Sequence, residues 1–121
     1  MNLIEKNGHF DLQSALDRFS GDSELLAEAI SIFEEEAVKH LAEINKNIDL
    51  KKLEEASKDS HTLKGECGAV GAIKAQALSQ AIEKAAALGD YATSRELLPE
   101  LEKEIGIAIK VLPDAIKDIM S

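Results

Sequence analysis

The chain has 121 residues, 45% hydrophobic and 31% charged, with 23 Asp+Glu against 14 Lys+Arg and a net charge of −9. That length suits one domain over 1–121, burying roughly two thirds of its unfolded surface, so a core forms without disulfides. The charge excludes direct recognition of nucleic acid or an anionic membrane, and no apolar run approaches the ~18 residues of a membrane span.

Two prolines, no Trp, 3% aromatic residues and an abundance of Ala, Leu, Glu, Lys and Ile make a helix-forming composition. The opening MNLIEKNGHFD lacks the layout of a signal peptide. A first helix is predicted over 11–19, with Leu12, Ala15, Leu16 and Phe19 on one side and Ser20-Gly21 as the stop. Asp22 then caps a long helix over 22–47 whose stripe is Leu26, Ile30, Phe33, Ala37, Leu41, Ile44 and Ile48. Glu34, Glu35 and Glu36 form its wet side. Asp49 is the expected N-cap of a third helix over 49–70, where Leu50, Leu53, Ala56, Ser60, Leu63, Cys67 and Val70 recur at threes and fours.

Gly71 ends that helix, and a fourth follows over 72–88 with Ile73, Leu78, Ile82 and Ala85 inward, stopped by Gly89. Asp90 caps a fifth over 90–112, with a kink expected at Pro99 and a new short element over 114–120 beginning at Pro113. Ile105, Ile107, Ile109 and Val111 alternate as in a strand, but one strand among helices has no ladder partner, so the stretch is read as helical. Four long helices joined by short loops predict an all-α, antiparallel up-down-up-down bundle with a short N-terminal helix.

One segment departs from this economy. Ser60-His61-Thr62-Leu63-Lys64-Gly65-Glu66-Cys67-Gly68-Ala69-Val70-Gly71 lies on the third helix yet carries three glycines. Each Gly inside a helix costs about 0.5–1 kcal/mol relative to Ala. At 100° per residue, His61 lies beside the core seam, with Ser57 and Lys58 one turn before it and Lys64, Gly65 and Gly68 after it on the same face. The imidazole is thus flanked by little bulk and one ammonium. An imidazole is a competent nucleophile and largely uncharged at cytoplasmic pH, and Lys64 can neutralise an anionic group on its nitrogen. That pattern fits a phosphoryl acceptor. The competing reading is that Gly65 and Gly68 simply let helices pack closely.

Other chemistries fit poorly. A Walker loop needs G-x-x-x-x-G-K-[ST] after a strand, so no ATP site is expected. His61 and Cys67 stand about 240° apart around the helix, which rules out a shared metal or a Cys/His pair without further ligands. Cys67 sits on the seam as a small hydrophobe, and a single Cys points to a reducing cytoplasm. His9 falls in an N-terminal segment expected to be mobile, and His40 lies at the edge of the second helix's stripe; neither is assigned a role. If the chain reverses at Gly71, Glu83 on the fourth helix comes level with His61 to within about 3 Å of rise. Glu83 either accepts a hydrogen bond from Nδ1–H, leaving Nε2 as the nucleophile, or is a surface acid.

His61-Thr62-Leu63-Lys64-Gly65, followed by Val70-Gly71-Ala72, resembles the H-x-L-K-G-x-x-x-x-[apolar]-G signature of histidine-containing phosphotransfer domains. Phe10-Asp11, Ala15 to Asp22, Glu24 to Leu26, Phe33 and Ile82-Glu83 are similar to further parts of the pattern, from Phe10 to Gly89 and more loosely over the last helix. The resemblance implies a four-helix bundle whose phosphohistidine passes between receiver domains of a two-component phosphorelay. His61 would be the phosphorylated residue, Lys64 its electrostatic support and Gly65 the clearance for a receiver. Ser60 stands where Ala is usual, and Glu66 where a small residue is common, adding charge near the docking surface.

The implied protein is a cytoplasmic monomer that relays phosphate rather than a freestanding enzyme, with no cofactor of its own and Mg²⁺ supplied by the receiver. Receiver domains, and a hybrid sensor kinase, are its expected partners. Three alternatives are weighed. The phosphoacceptor domain of a chemotaxis-type histidine kinase shares H-T-[LI]-K-G, but no kinase domain is present and Arg18 to Asp22 favours a relay module. A sensor-kinase dimerisation hairpin resembles H-E-x-x-T-P, which Thr62-Leu63-Lys64-Gly65 does not. A non-catalytic helical interaction module is opposed by the intact His61, Lys64 and Gly65. Met1 favours a freestanding chain over a piece of a hybrid kinase.

Overall fold

A computed structural model describes residues 8–121 and contains five helices: α1 (Leu12–Arg18), α2 (Ser23–Asp49), α3 (Leu53–Ala69), α4 (Ile73–Ala87) and α5 (Tyr91–Met120). Met1, on which the freestanding reading rests, and most of the segment judged for a signal peptide lie outside the described residues. Carboxylates start three of the helices. Asp11 accepts from Ser14 N, Asp22 from Glu24 N and Leu25 N, and Asp90 from Thr93 N, each satisfying backbone donors that the first turn leaves free. α2 packs on α3 and α5, and α4 on the same two, so the four long helices close a ring around one core. The connections of three residues between them force antiparallel neighbours. No helix of the described residues is long and apolar enough to cross a membrane.

The seams expected from periodicity face that core, except that Ile73, expected inward on the fourth helix, is exposed at its first turn, and Leu41 and Leu78 are only partly buried. Leu26, Ile30, Phe33, Ala37, Ile44 and Ile48 of α2 are buried against Ala56, Leu63 and Cys67 of α3 and Ile82 of α4. Two boundaries differ from the sequence reading. Asp49 is not the cap of α3 but the last residue of α2, where it pairs with Arg95 of α5 at 2.8 Å. The turn is made by Lys51 in a left-handed conformation (φ 58°), and Leu50 is left exposed rather than on the α3 seam. Pro113 starts nothing: α5 runs unbroken through Pro99 and Pro113 to Met120. Leu112, Ala115 and Ile116 continue the buried stripe across the proline, and their burial outweighs the missing backbone donor.

His9 to Arg18, within the described residues, form a strap bonded to the bundle, where a mobile lead was expected at His9. Asp11 N donates to Gly71 O at 2.8 Å, Lys74 N to His9 O, and Arg18 Nη1 to Gly68 O at 2.6 Å. Phe10 is buried between these anchors. His9 Nδ1 meets the buried Glu104 Oε1 of α5 at 2.6 Å. The strap therefore clamps the α3–α4 turn, the end of the helix that carries His61.

Candidate functional site

The three glycines of α3 and its turn do three different things. At Gly71 the backbone is left-handed (φ 77°), and a Cβ would stand 2.5 Å from Asp11 O. Gly68 is buried, and a Cβ there would meet the Gln76 side chain at 2.8 Å and Arg18 at 3.5 Å. Close packing therefore accounts for Gly68, which is not part of the open face on which its spacing placed it. Gly65 alone is exposed with nothing within 4 Å of a built Cβ. Its missing side chain serves no packing within the chain; it leaves the surface beside His61 low.

His61 itself is two-thirds exposed (67%), and its Nδ1 lies 2.8 Å from Glu83 Oε2 across the α3–α4 seam. Glu83 Oε1, shielded from solvent, faces Lys64 Nζ at 2.9 Å. Ser57, one turn before His61, donates its hydroxyl to the Glu83 backbone carbonyl at 2.9 Å and joins α3 to α4 at this level. Burial acts to raise the Glu83 pKa, but hydrogen bonds from Lys64 and His61, and their charge, overcome it and hold the carboxyl below its ordinary 4.5. Glu83 is therefore ionised at neutral pH and can only accept. The proton of a neutral ring facing it must sit on Nδ1, which leaves the Nε2 lone pair directed to solvent.

The structure thus brings His61, Lys64 and Glu83 together through one shared carboxylate and leaves Gly65 open beside them. Lys64 is not a free cation waiting at the ring; it is paired with Glu83. Ser57 was placed on the His61 face by its spacing, but its bond to a backbone carbonyl on another helix has no sequence signal. Ser60 is buried with its hydroxyl unpartnered among the described residues, so the position demands a small side chain and not a polar one. Cys67 is buried too, its thiol pushed up to about 12 by desolvation, which fits an inert seam residue. The remaining histidines are also partnered: His9 with Glu104, and His40 with Glu66 at 2.8 Å. Among the described residues no three His, Cys, Asp or Glu side chains converge on a metal position.

The profile of the Hpt domain family matches residues 28–115, most of the chain and all of the His61 site. The chain belongs to the Hpt family. It is a histidine-phosphotransfer domain by that membership, and the phosphorelay resemblance read from the His61 segment is the family now shown. It is 27% identical over 109 residues to the phosphorelay intermediate protein rdeA of Dictyostelium discoideum, covering 90% of this Hpt chain. The chain spans 43% of that relative's length. The fold is similar to the crystal structure of histidine-containing phosphotransfer protein B (HptB) from Pseudomonas aeruginosa PAO1. That match has a TM-score of 0.84 at 14% identity and covers 93% of this chain and 98% of the other.

Proposed function

We propose that this Hpt domain relays a phosphoryl group between receiver-domain aspartates in a two-component phosphorelay, with His61 Nε2 as the acceptor. The observation that carries the reading is the division of labour on one ring: Nδ1 is committed to Glu83 and the rest of the imidazole is exposed. In the transfer, the Nε2 lone pair forms the N–P bond as the acyl O–P bond of the receiver's aspartyl phosphate breaks and the aspartate leaves as carboxylate. The ring becomes cationic and keeps its proton on Nδ1, donated in the hydrogen bond to Glu83, so no general base is needed and the step is reversible. Glu83 stabilises that cation as the buried acid of a catalytic triad does. As the phosphoryl arrives, Lys64 has a choice of anions and supports its charge at a site where positioning and electrostatics supply most of the catalysis. Mg²⁺ belongs to the receiver in this reading, the domain works as a monomer, and its partners, receivers and a hybrid sensor kinase, place it in the cytoplasm.

Incubation with a phosphorylated receiver tests this. Wild type is expected to take up acid-labile, alkali-stable label, and His61→Gln none. An unlabelled wild type, or undiminished label in His61→Gln, overturns the assignment.

Gly65 gives a second, opposite-signed test. Gly65→Gln adds a side chain into open space and replaces a poor helix former by a good one, so stability is expected to rise by up to about 1 kcal/mol. The same side chain stands where the receiver must approach, and transfer is expected to fall about tenfold or more, since small misplacements of reacting groups are costly. A thermal melt and a transfer assay on the same preparation check both signs.

A further inference from the structure

Beside the site, α2 and α3 leave a small groove of about 170 Å³ lined by Ala29, Ile32, Phe33, Glu66, Ala69 and Val70. Its size decides what can enter. Pockets for small molecules run to roughly 300–1,000 Å³, whereas this space takes one large apolar side chain. Ile32 stands on its rim with 62% of its surface exposed. The groove's single charged residue is Glu66, half-buried, whose Oε1 is held by His40 Nδ1 at 2.8 Å. Its second oxygen accepts no hydrogen bond from the described residues.

The groove is not remote from His61. Glu66, Ala69 and Val70 follow His61 by five to nine residues along α3, so the groove spans about 8 to about 14 Å of helix rise beyond it. A partner burying roughly 800 Å² around His61 is wide enough to reach that far, and one that extends over α3 toward α2 lies over the groove. Doing so takes Glu66 out of water with one oxygen unmatched, which is costly unless the partner supplies a donor. A second copy of this acidic chain would bring its own carboxylates to the same place.

The geometry points to Glu66, aimed by His40, as the specificity-determining residue that selects receivers presenting an apolar side chain with a Lys or Arg beside it, and rejects those presenting an acid there. The selection rests on the phosphotransfer reading of His61. It is distinct from the chemistry at the ring, because Glu66 touches none of His61, Lys64 or Glu83. Charge at an interface rim governs choice of partner and encounter more than the reaction that follows.

The test is the dependence of initial transfer rate on the concentration of a receiver domain phosphorylated with acetyl phosphate in Mg²⁺, using the full chain. Glu66→Gln is expected to raise KM about tenfold with the maximal rate unchanged, and Glu66→Lys to raise it further. Reversing one Lys or Arg of the receiver to Glu is expected to restore KM for Glu66→Lys while weakening wild type. Ile32→Ser, at an exposed position, should also act on KM alone. Wild-type KM in both Glu66 variants, or a fall in maximal rate without a change in KM, overturns the selection while leaving the role of His61 standing. Self-association of the wild type that Glu66→Lys abolishes, at unchanged KM, assigns the groove to a second copy and overturns it too. A wild type that takes no label removes both.

Discussion

Replacing Glu83 by alanine is expected to slow phosphoryl uptake by His61 roughly 10- to 100-fold, at or below the lower end of the ~10²–10⁴ of a direct acid or base, because Glu83 acts only through the ring. Two effects combine. Without the carboxylate the ring is free to present either tautomer, and the positive charge it gains on phosphorylation loses its partner at 2.8 Å. The exposure of His61 limits the damage, since water can solvate the imidazolium in place of Glu83. Lys64, released from its 2.9 Å contact, becomes mobile rather than more effective. Rates of label uptake from a phosphorylated receiver check the expectation, and a wild-type rate in Glu83→Ala would reduce Glu83 to a surface acid.

The same carboxylate fixes a pH signature. Its pKa is lower in the folded chain than the ordinary 4.5, so the folded state binds its proton less readily than the unfolded one. Stability drawn from it is therefore complete above the ordinary carboxylate range and drains away as pH falls through the lowered folded value. Glu83→Gln lacks that contribution. The gap in melting temperature between wild type and Glu83→Gln should close as pH falls below the ordinary carboxylate range.

Gly71→Ala is expected to destabilise the fold by about 2–4 kcal/mol, the sum of a left-handed conformation forced on a residue with a Cβ and of overpacking. The new methyl would stand 2.5 Å from the Asp11 carbonyl and 3.3 Å from Ala15 Cβ, and the first of these is backbone that cannot turn aside. For a domain of this size the melting temperature should drop by roughly 10 °C. Gly89→Ala is the control. Gly89 has a similar φ of 74° but nothing within 4 Å, so it carries the conformational cost without the collision. Equal losses in the two variants would mean that the strap yields freely.

Legibility in the sequence followed the range of the interaction. Asp22 and Asp90 cap their helices through bonds two or three residues away, and such bonds leave a local mark. Asp49 carries the same mark but is overruled, because Asn47 and Ile48 are buried and keep α2 helical through it. Lys51, which then makes the turn, is not a residue that announces one. Pro113 was misread for the same reason: the rule is local, and the buried stripe on either side is not. At the site, the spacing of His61, Lys64 and Gly65 lies within one helix and was readable, and the reversal at Gly71 brought Glu83 near by arithmetic alone. That Lys64 already spends its charge on Glu83, that Gly68 serves the Arg18 strap, and that Glu66 is aimed by His40 depend on which helices meet, and no spacing within one helix contains that.

The strap also orders events in time. Consecutive helices of the bundle pair through short turns, and such contacts form early because little chain must be closed. His9, Asp11 and Arg18 instead bond to Glu104, Gly71 and Gly68, far along the chain. A chain growing from its N-terminus makes these residues first, yet Gly68 and Gly71 follow only at the end of α3, and Glu104 only midway through α5. What is synthesised first waits longest for its partners, and the far end of the His61 helix is secured by residues made some fifty positions before it.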